Sequence, residues 1–232
     1  MKKLIYRILN SKKLWNFEQN VNKARFAIQN RDFTKALIFS SNAIELIPHL
    51  EAYFEKEKLA SAFYNKGYAY LGLKKKNEAY KFYVKTLEYK PDKIEALHDL
   101  GVLKLDEGLY TDAKDFFMKV LSLNNSFGKA HYNLGRVFLK TGNKSSAIES
   151  FVKAQKFIPK DIKPILYIGI IYFEDDELVK AKDMFDSAKS LVDNNKYLSL
   201  LKTVMEIELG NNDVALKSWL NAHYIASNGA GL

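Results

Sequence analysis

The stretch GKAHYNLGRVFLKTGNKSSAIESFVKAQKFIP, residues 128–159, decides the fold. Leu134, Gly135 and Phe138 fall in its first half, Ala147, Phe151 and Ala154 in its second, and Gly142-Asn143 stands between them. Apolar residues three or four apart mark each half as an amphipathic helix, and the Gly-Asn pair marks the turn. Gly135 and Ala147 carry little or no side chain, so the two helices can approach closely there while Leu134, Phe138 and Phe151 fill the volume on either side. Pro159 lacks the N–H that another helical turn needs, and the second helix ends before it.

Working outward in steps of 34 residues, Gly135 recurs as Gly101 and Gly67 upstream and Gly169 downstream. Ala147 recurs as Ala113, Ala79, Ala181 and Ala215, and Phe151 as Phe117, Tyr83, Phe185 and Trp219. Three series in one register identify an internal repeat. The period, the Leu-Gly pair, the Ala-x-x-x-aromatic pattern and the closing proline resemble the tetratricopeptide repeat. That resemblance implies an all-α fold, a right-handed superhelical solenoid of antiparallel helix pairs.

The repeats expected on this register run from Ala60 to Pro91, Ile94 to Asn125, Gly128 to Pro159 and Ile162 to Asp193. Asn125 and Asp193 replace the terminal proline and still favour a turn or cap. A degenerate first repeat covers residues 17–48, with Ala24 where the glycine should be. A sixth unit from Lys196 to about Ala226 closes the array around Ala215, Trp219 and Ala222, with Thr203 at the glycine position. Between Ala36 and Ala79 the step is 43, and the nine extra residues predict a first helix lengthened by about two and a half turns. Leu50, Tyr53, Phe54, Leu59 and Phe63 would form its apolar stripe. Residues 17–226 are therefore expected to form one elongated repeat domain, followed by a frayed tail, 227–232.

Residues 1–16 form a basic segment with Lys2, Lys3, Arg7, Lys12 and Lys13 and no acidic residue. Leu4, Ile5, Ile8 and Leu9 share a helical face, but the run is too short to span a bilayer and has no small-residue cleavage site. It is expected to cap the first repeat, with an interfacial helix on anionic lipid as the alternative.

Composition narrows the function. The 232 residues include no cysteine, which excludes a disulfide framework, a thiolate nucleophile and a cysteine zinc site. His49, His98, His131 and His223 are scattered and form no metal-binding pair. No glycine-rich phosphate loop or nucleophile elbow is present. The acidic run Glu174-Asp175-Asp176-Glu177 falls where a turn is expected and lacks the glycine and alternating ligands of a calcium loop. Lys74-Lys75-Lys76-Asn77 reads likewise as a solvated turn. No catalytic residue, metal or cofactor is expected. The net charge of +9 and pI near 9.3 would attract acidic partners, anionic lipid or nucleic acid.

What remains is binding. In the family that this chain resembles, first helices line the concave wall, and their second, fifth, sixth, ninth, twelfth and thirteenth positions face a bound segment. Carried over, those positions are Tyr64, Asn65 and Tyr68 in the second repeat and Glu95, His98 and Asp99 in the third. In the fourth they are Lys129, Tyr132, Asn133, Arg136 and Lys140, and in the fifth Tyr167 and Glu174. Tyr132 and Arg136 are read as lying outside the Leu134, Phe138 and Phe151 core. Some family members hold the acidic tail of heat-shock chaperones in a Lys, Asn and Arg clamp. Tyr64, Tyr68 and Asp99 stand at clamp positions here, which disfavours that ligand.

The expectation is thus a non-enzymatic scaffold or adaptor, cytoplasmic or peripheral to a membrane, that assists assembly of a multiprotein complex. Its partner would be a protein or peptide with acidic and aromatic residues. The alternatives are a basic helical-repeat RNA-binding protein and a membrane-associated adaptor contacting anionic lipid through residues 1–16.

Overall fold

The computed structural model describes residues 11–49 and 55–193. These contain ten α-helices and no strand. They are α1 (Ser11–Gln29), α2 (Phe33–Glu45), α3 (Lys56–Gly72), α4 (Lys76–Tyr89), α5 (Ile94–Asp106), α6 (Tyr110–Leu123), α7 (Gly128–Lys140), α8 (Lys144–Phe157), α9 (Lys163–Glu174) and α10 (Leu178–Ser190). A 3₁₀ turn, Ile47–His49, follows α2. The helices pack in consecutive pairs, α1 with α2 through α9 with α10. Among the described residues, no helix is long and apolar enough to cross a membrane.

The chain divides into two compact units, Met1–Asn125 and Ser126–Leu232. In the first unit α2 packs on α3 and α4 on α5, and in the second α8 packs on α9. Within each unit a pair thereby covers the next.

Pairing rests on the small-to-aromatic contact expected from the register. A Cβ at Gly67 would lie 2.8 Å from Tyr83, at Gly101 2.7 Å from Phe117, at Gly135 2.7 Å from Phe151 and at Gly169 2.8 Å from Phe185. The four aromatic rings are buried, as are Ala79, Ala113, Ala147 and Ala181 one turn before them. In the first pair Ala24 and Ser40 occupy these two positions and both are buried. The Ser40 hydroxyl donates to Ala36 O at 2.7 Å, which satisfies it without any ring.

Every turn within a pair has the same backbone. Arg31, Lys74, Gly108, Gly142 and Asp176 are register equivalents, and all five have φ between 57° and 78°. In each turn the next residue's N–H reaches back to a carbonyl of the preceding helix, as from Lys75 to Tyr70 and from Asn143 to Phe138. This is the left-handed helix-ending motif that glycine adopts most readily. The expected turns at Gly108, at Gly142-Asn143 and at the lysine and acidic runs are all seen. Asn143 also caps α8, accepting from Ser146 N at 3.1 Å, and Asp32 caps α2 through Lys35 N at 3.0 Å.

The long interval is resolved differently from expectation. Helix α3 has 17 residues against 13 in α5 and α7, about one additional turn rather than two and a half. Glu55 is extended, with φ −61° and ψ 132°, so the helix starts at Lys56. Other extra residues fall in the 3₁₀ turn and in the segment holding Leu50, Tyr53 and Phe54, which lies outside the described residues. Leu59 and Phe63 are buried as predicted. Helix α1 runs without a break through the boundary drawn between residues 16 and 17, and Leu14 packs on a core containing Phe17 and Val21. Residues 1–10, with Leu4, Ile5, Ile8 and Leu9, lie outside the described residues, as do the sixth unit and the tail.

Candidate functional site

The second unit holds Lys129, Tyr132, Asn133, Arg136 and Lys140 on α7. Helical periodicity places Lys129, Tyr132, Arg136 and Lys140 along one side. Lys129 and Lys140 are exposed and Arg136 is half-buried. The Arg136 guanidinium lies over the Tyr132 ring, 5.9 Å from its centroid, and its Nη1 donates to Asn133 Oδ1 at 3.3 Å. Asn133 is only 6% exposed. It therefore acts from beneath, holding the arginine fork.

Tyr132 does not stand clear of the core. Its ring lies 5.9 Å from Phe151 and meets Tyr167 edge-on at 5.7 Å, while Phe151 and Tyr167 stack at 4.9 Å. A tyrosine is long enough to pack its ring inward and show its edge outward. Tyr167, also expected on the groove, is fully buried. Glu174 is at the end of α9, bonded to Lys144 at 3.1 Å.

The first unit holds Tyr64, Asn65 and Tyr68 on α3 and Glu95, His98 and Asp99 on α5. The Tyr64 hydroxyl donates to Asp99 Oδ2 at 3.0 Å, and Asp99 Oδ1 is 3.0 Å from His98 Nδ1. Burial, then the Asp99 charge, pushes the Tyr64 hydroxyl pKa up, so the phenol keeps its proton. The Tyr68 and Tyr64 rings are 6.2 Å apart. Asn65 is 5% exposed, and its amide donates to Val21 O at 3.2 Å. It ties α3 to α1 and presents little to solvent.

Two residues beyond those expected belong to this face. Tyr83 occupies the aromatic core position of α4, with its ring 5.6 Å from Tyr64 and a buried hydroxyl near Asp99 that makes no well-formed hydrogen bond. Burial and then Asp99 raise its pKa as well. The signal was present in the sequence, because Phe117, Phe151 and Phe185 fill the equivalent positions without a hydroxyl. Lys93, just before α5, pairs with Glu95 at 3.0 Å and holds its ammonium 5.8 Å above the Tyr64 ring.

On the second helices three ion pairs lie within one helix, Lys85 with Glu88, Lys153 with Glu149 and Lys182 with Asp186, at 2.6–2.8 Å, while Lys76 and Lys144 reach Asp106 and Glu174 of the following first helix.

Helix pairs stacked on one register define a helical-repeat protein. A family model described as tetratricopeptide repeat matches residues 60–93, 94–127 and 128–161, and these three units are tetratricopeptide repeats. Over 107 residues it is 33% identical to anaphase-promoting complex subunit 3 of Schizosaccharomyces pombe, covering 46% of this chain and 16% of that protein. Over 100 residues it is 28% identical to human DnaJ homolog subfamily C member 7, covering 43% of this chain and 20% of the relative. The chain thus spans less than a quarter of the length of either relative. Its fold is similar to that of pilF from Pseudomonas aeruginosa, with TM-score 0.67, 16% identity and coverage of 88% of this chain and 89% of that one. It is also similar to MamA from Desulfovibrio magneticus RS-1, with TM-score 0.63, 19% identity and coverage of 76% and 94%. At such identities the likeness concerns the fold alone.

Proposed function

We propose that this chain is a non-enzymatic scaffold that holds a protein or peptide segment against its first helices and so assists assembly of a larger complex. The observation that carries the reading is the contrast between helix surfaces. On α4, α8 and α10 surface lysines pair with acids of their own helix, Lys85 with Glu88, Lys153 with Glu149 and Lys182 with Asp186. On α7 an arginine is instead aligned over a tyrosine by a buried asparagine, with lysines one and two turns away. A planar guanidinium fixed in this way grips a carboxylate in a bidentate fork, and the tyrosine edge adds contact area. Of the relatives, one is by name a subunit of a multiprotein complex, which supports the assembly role.

Affinity capture with quantitative mass spectrometry tests the proposal. Arg136→Glu combined with Lys129→Glu should lower recovery of the main partner at least tenfold, with circular dichroism unchanged. Lys153→Glu on α8 should have little effect. Full recovery by the α7 variant together with loss by Lys153→Glu would place the partner on the second helices.

A further inference from the structure

The α3–α5 face of the first unit has chemistry opposite to that of α7. It brings together the rings of Tyr64, Tyr68 and Tyr83 and the carboxylates of Asp99 and Glu95. At the register position of Asp99 the neighbouring repeats have Asn65 and Asn133, so the negative charge is particular to this repeat. The Asp99 side chain is 15% exposed. Holding a carboxylate that far out of water is unfavourable unless it is well partnered. A carboxylate has about four lone-pair sites, and Tyr64 and His98 approach one oxygen each. The fully buried Tyr83 adds to this, since its hydroxyl lies near the same carboxylate without making a well-formed hydrogen bond. Lys93 shows which kind of group the face attracts, because its ammonium already rests over Tyr64 while bonded to Glu95.

From this we infer that the α3–α5 face is a cation-accepting recess that takes an arginine side chain of the bound segment, with the guanidinium on the Asp99 carboxylate and its plane against Tyr64 and Tyr68. Arginine suits it better than lysine because a flat, weakly hydrated guanidinium both stacks on aromatic rings and makes directed bonds to a carboxylate. The inference rests on the first-helix binding reading and deepens it: the segment carries a basic residue for this face, besides any acidic residues for α7.

The test uses the full chain and two small probes, N-acetylarginine amide and N-acetylcitrulline amide, which are nearly isosteric but differ in charge. Amide chemical-shift titration should show the arginine probe perturbing α3 and α5 around Tyr64 and Asp99. Half-saturation should come at a concentration at least fivefold lower than for citrulline. Asp99→Asn should remove that preference, and Tyr68→Ala should weaken it. Equal response to both probes in the unaltered chain would overturn the inference without recourse to any variant. So would shifts confined to other helices, or an Asp99→Asn variant that keeps the full preference. The α7 substitutions do not touch this face, so the recess and the scaffold reading can fail separately: arginine selectivity here with unaltered capture by the α7 variant would sink only the latter.

Discussion

Gly135 on α7 lies directly beneath Phe151 on α8, so close that an added Cβ would be 2.7 Å from two atoms of the ring. The same relation holds at the equivalent glycines of three other pairs, so the contact is the repeated unit of stability. Gly135→Ala should cost about 1–3 kcal/mol through overpacking, although alanine is the better helix former by roughly 1 kcal/mol. Combining it with Phe151→Leu should give less than the sum of the two single losses, as residues in contact do. Urea midpoints of the four chains measure this.

The turns give a prediction of opposite signs at equivalent sites. Gly108 has φ 77° with open space where a Cβ would go, whereas Lys74 has φ 60° with a full side chain. Gly108→Ala should therefore destabilise by about 1–2 kcal/mol from backbone conformation alone. Lys74→Gly should stabilise by something under that, because the freer unfolded chain offsets part of the gain. Thermal melts of both variants check the pair.

Position 26 has no preceding helix pair among the described residues. Its equivalents Ala69, Leu103 and Ile171 are buried, each within a cluster that includes an alanine of the preceding pair's second helix: Ala36, Ala79 and Ala147. Phe26 is 66% exposed. Phe26→Ala should change stability by about 0.5 kcal/mol or less, while Leu103→Ala should cost about 2–5 kcal/mol. Denaturant titration separates these outcomes, and a large loss at Phe26 would mean that its surface is covered.

The sequence made the pairing legible because each Gly-to-aromatic contact joins residues close in the chain and recurs on a fixed step. The turns were legible for the same reason. The start of α3 was not: residues 50–63 contain no glycine or proline and keep a helical stripe, and nothing local announces the extended Glu55. The candidate site was legible as a set of positions but not as orientations. Tyr132 packs inward because Phe151 and Tyr167 form a stack for its ring, and Tyr167 comes from the next repeat. Asn65 turns aside to Val21 O, a partner 44 residues away. Tyr132→Ala should accordingly lower the melting temperature as well as binding, which makes Arg136→Glu the cleaner probe of the surface.

The most direct test of the account is to map where the partner lies. A photo-crosslinking amino acid placed at Lys129 or Lys140, both exposed on α7, should form adducts with the main partner, whereas the same group at Val152, 55% exposed on α8, should not. Adducts from Val152 with none from either lysine position would contradict the claim that first helices carry the binding surface.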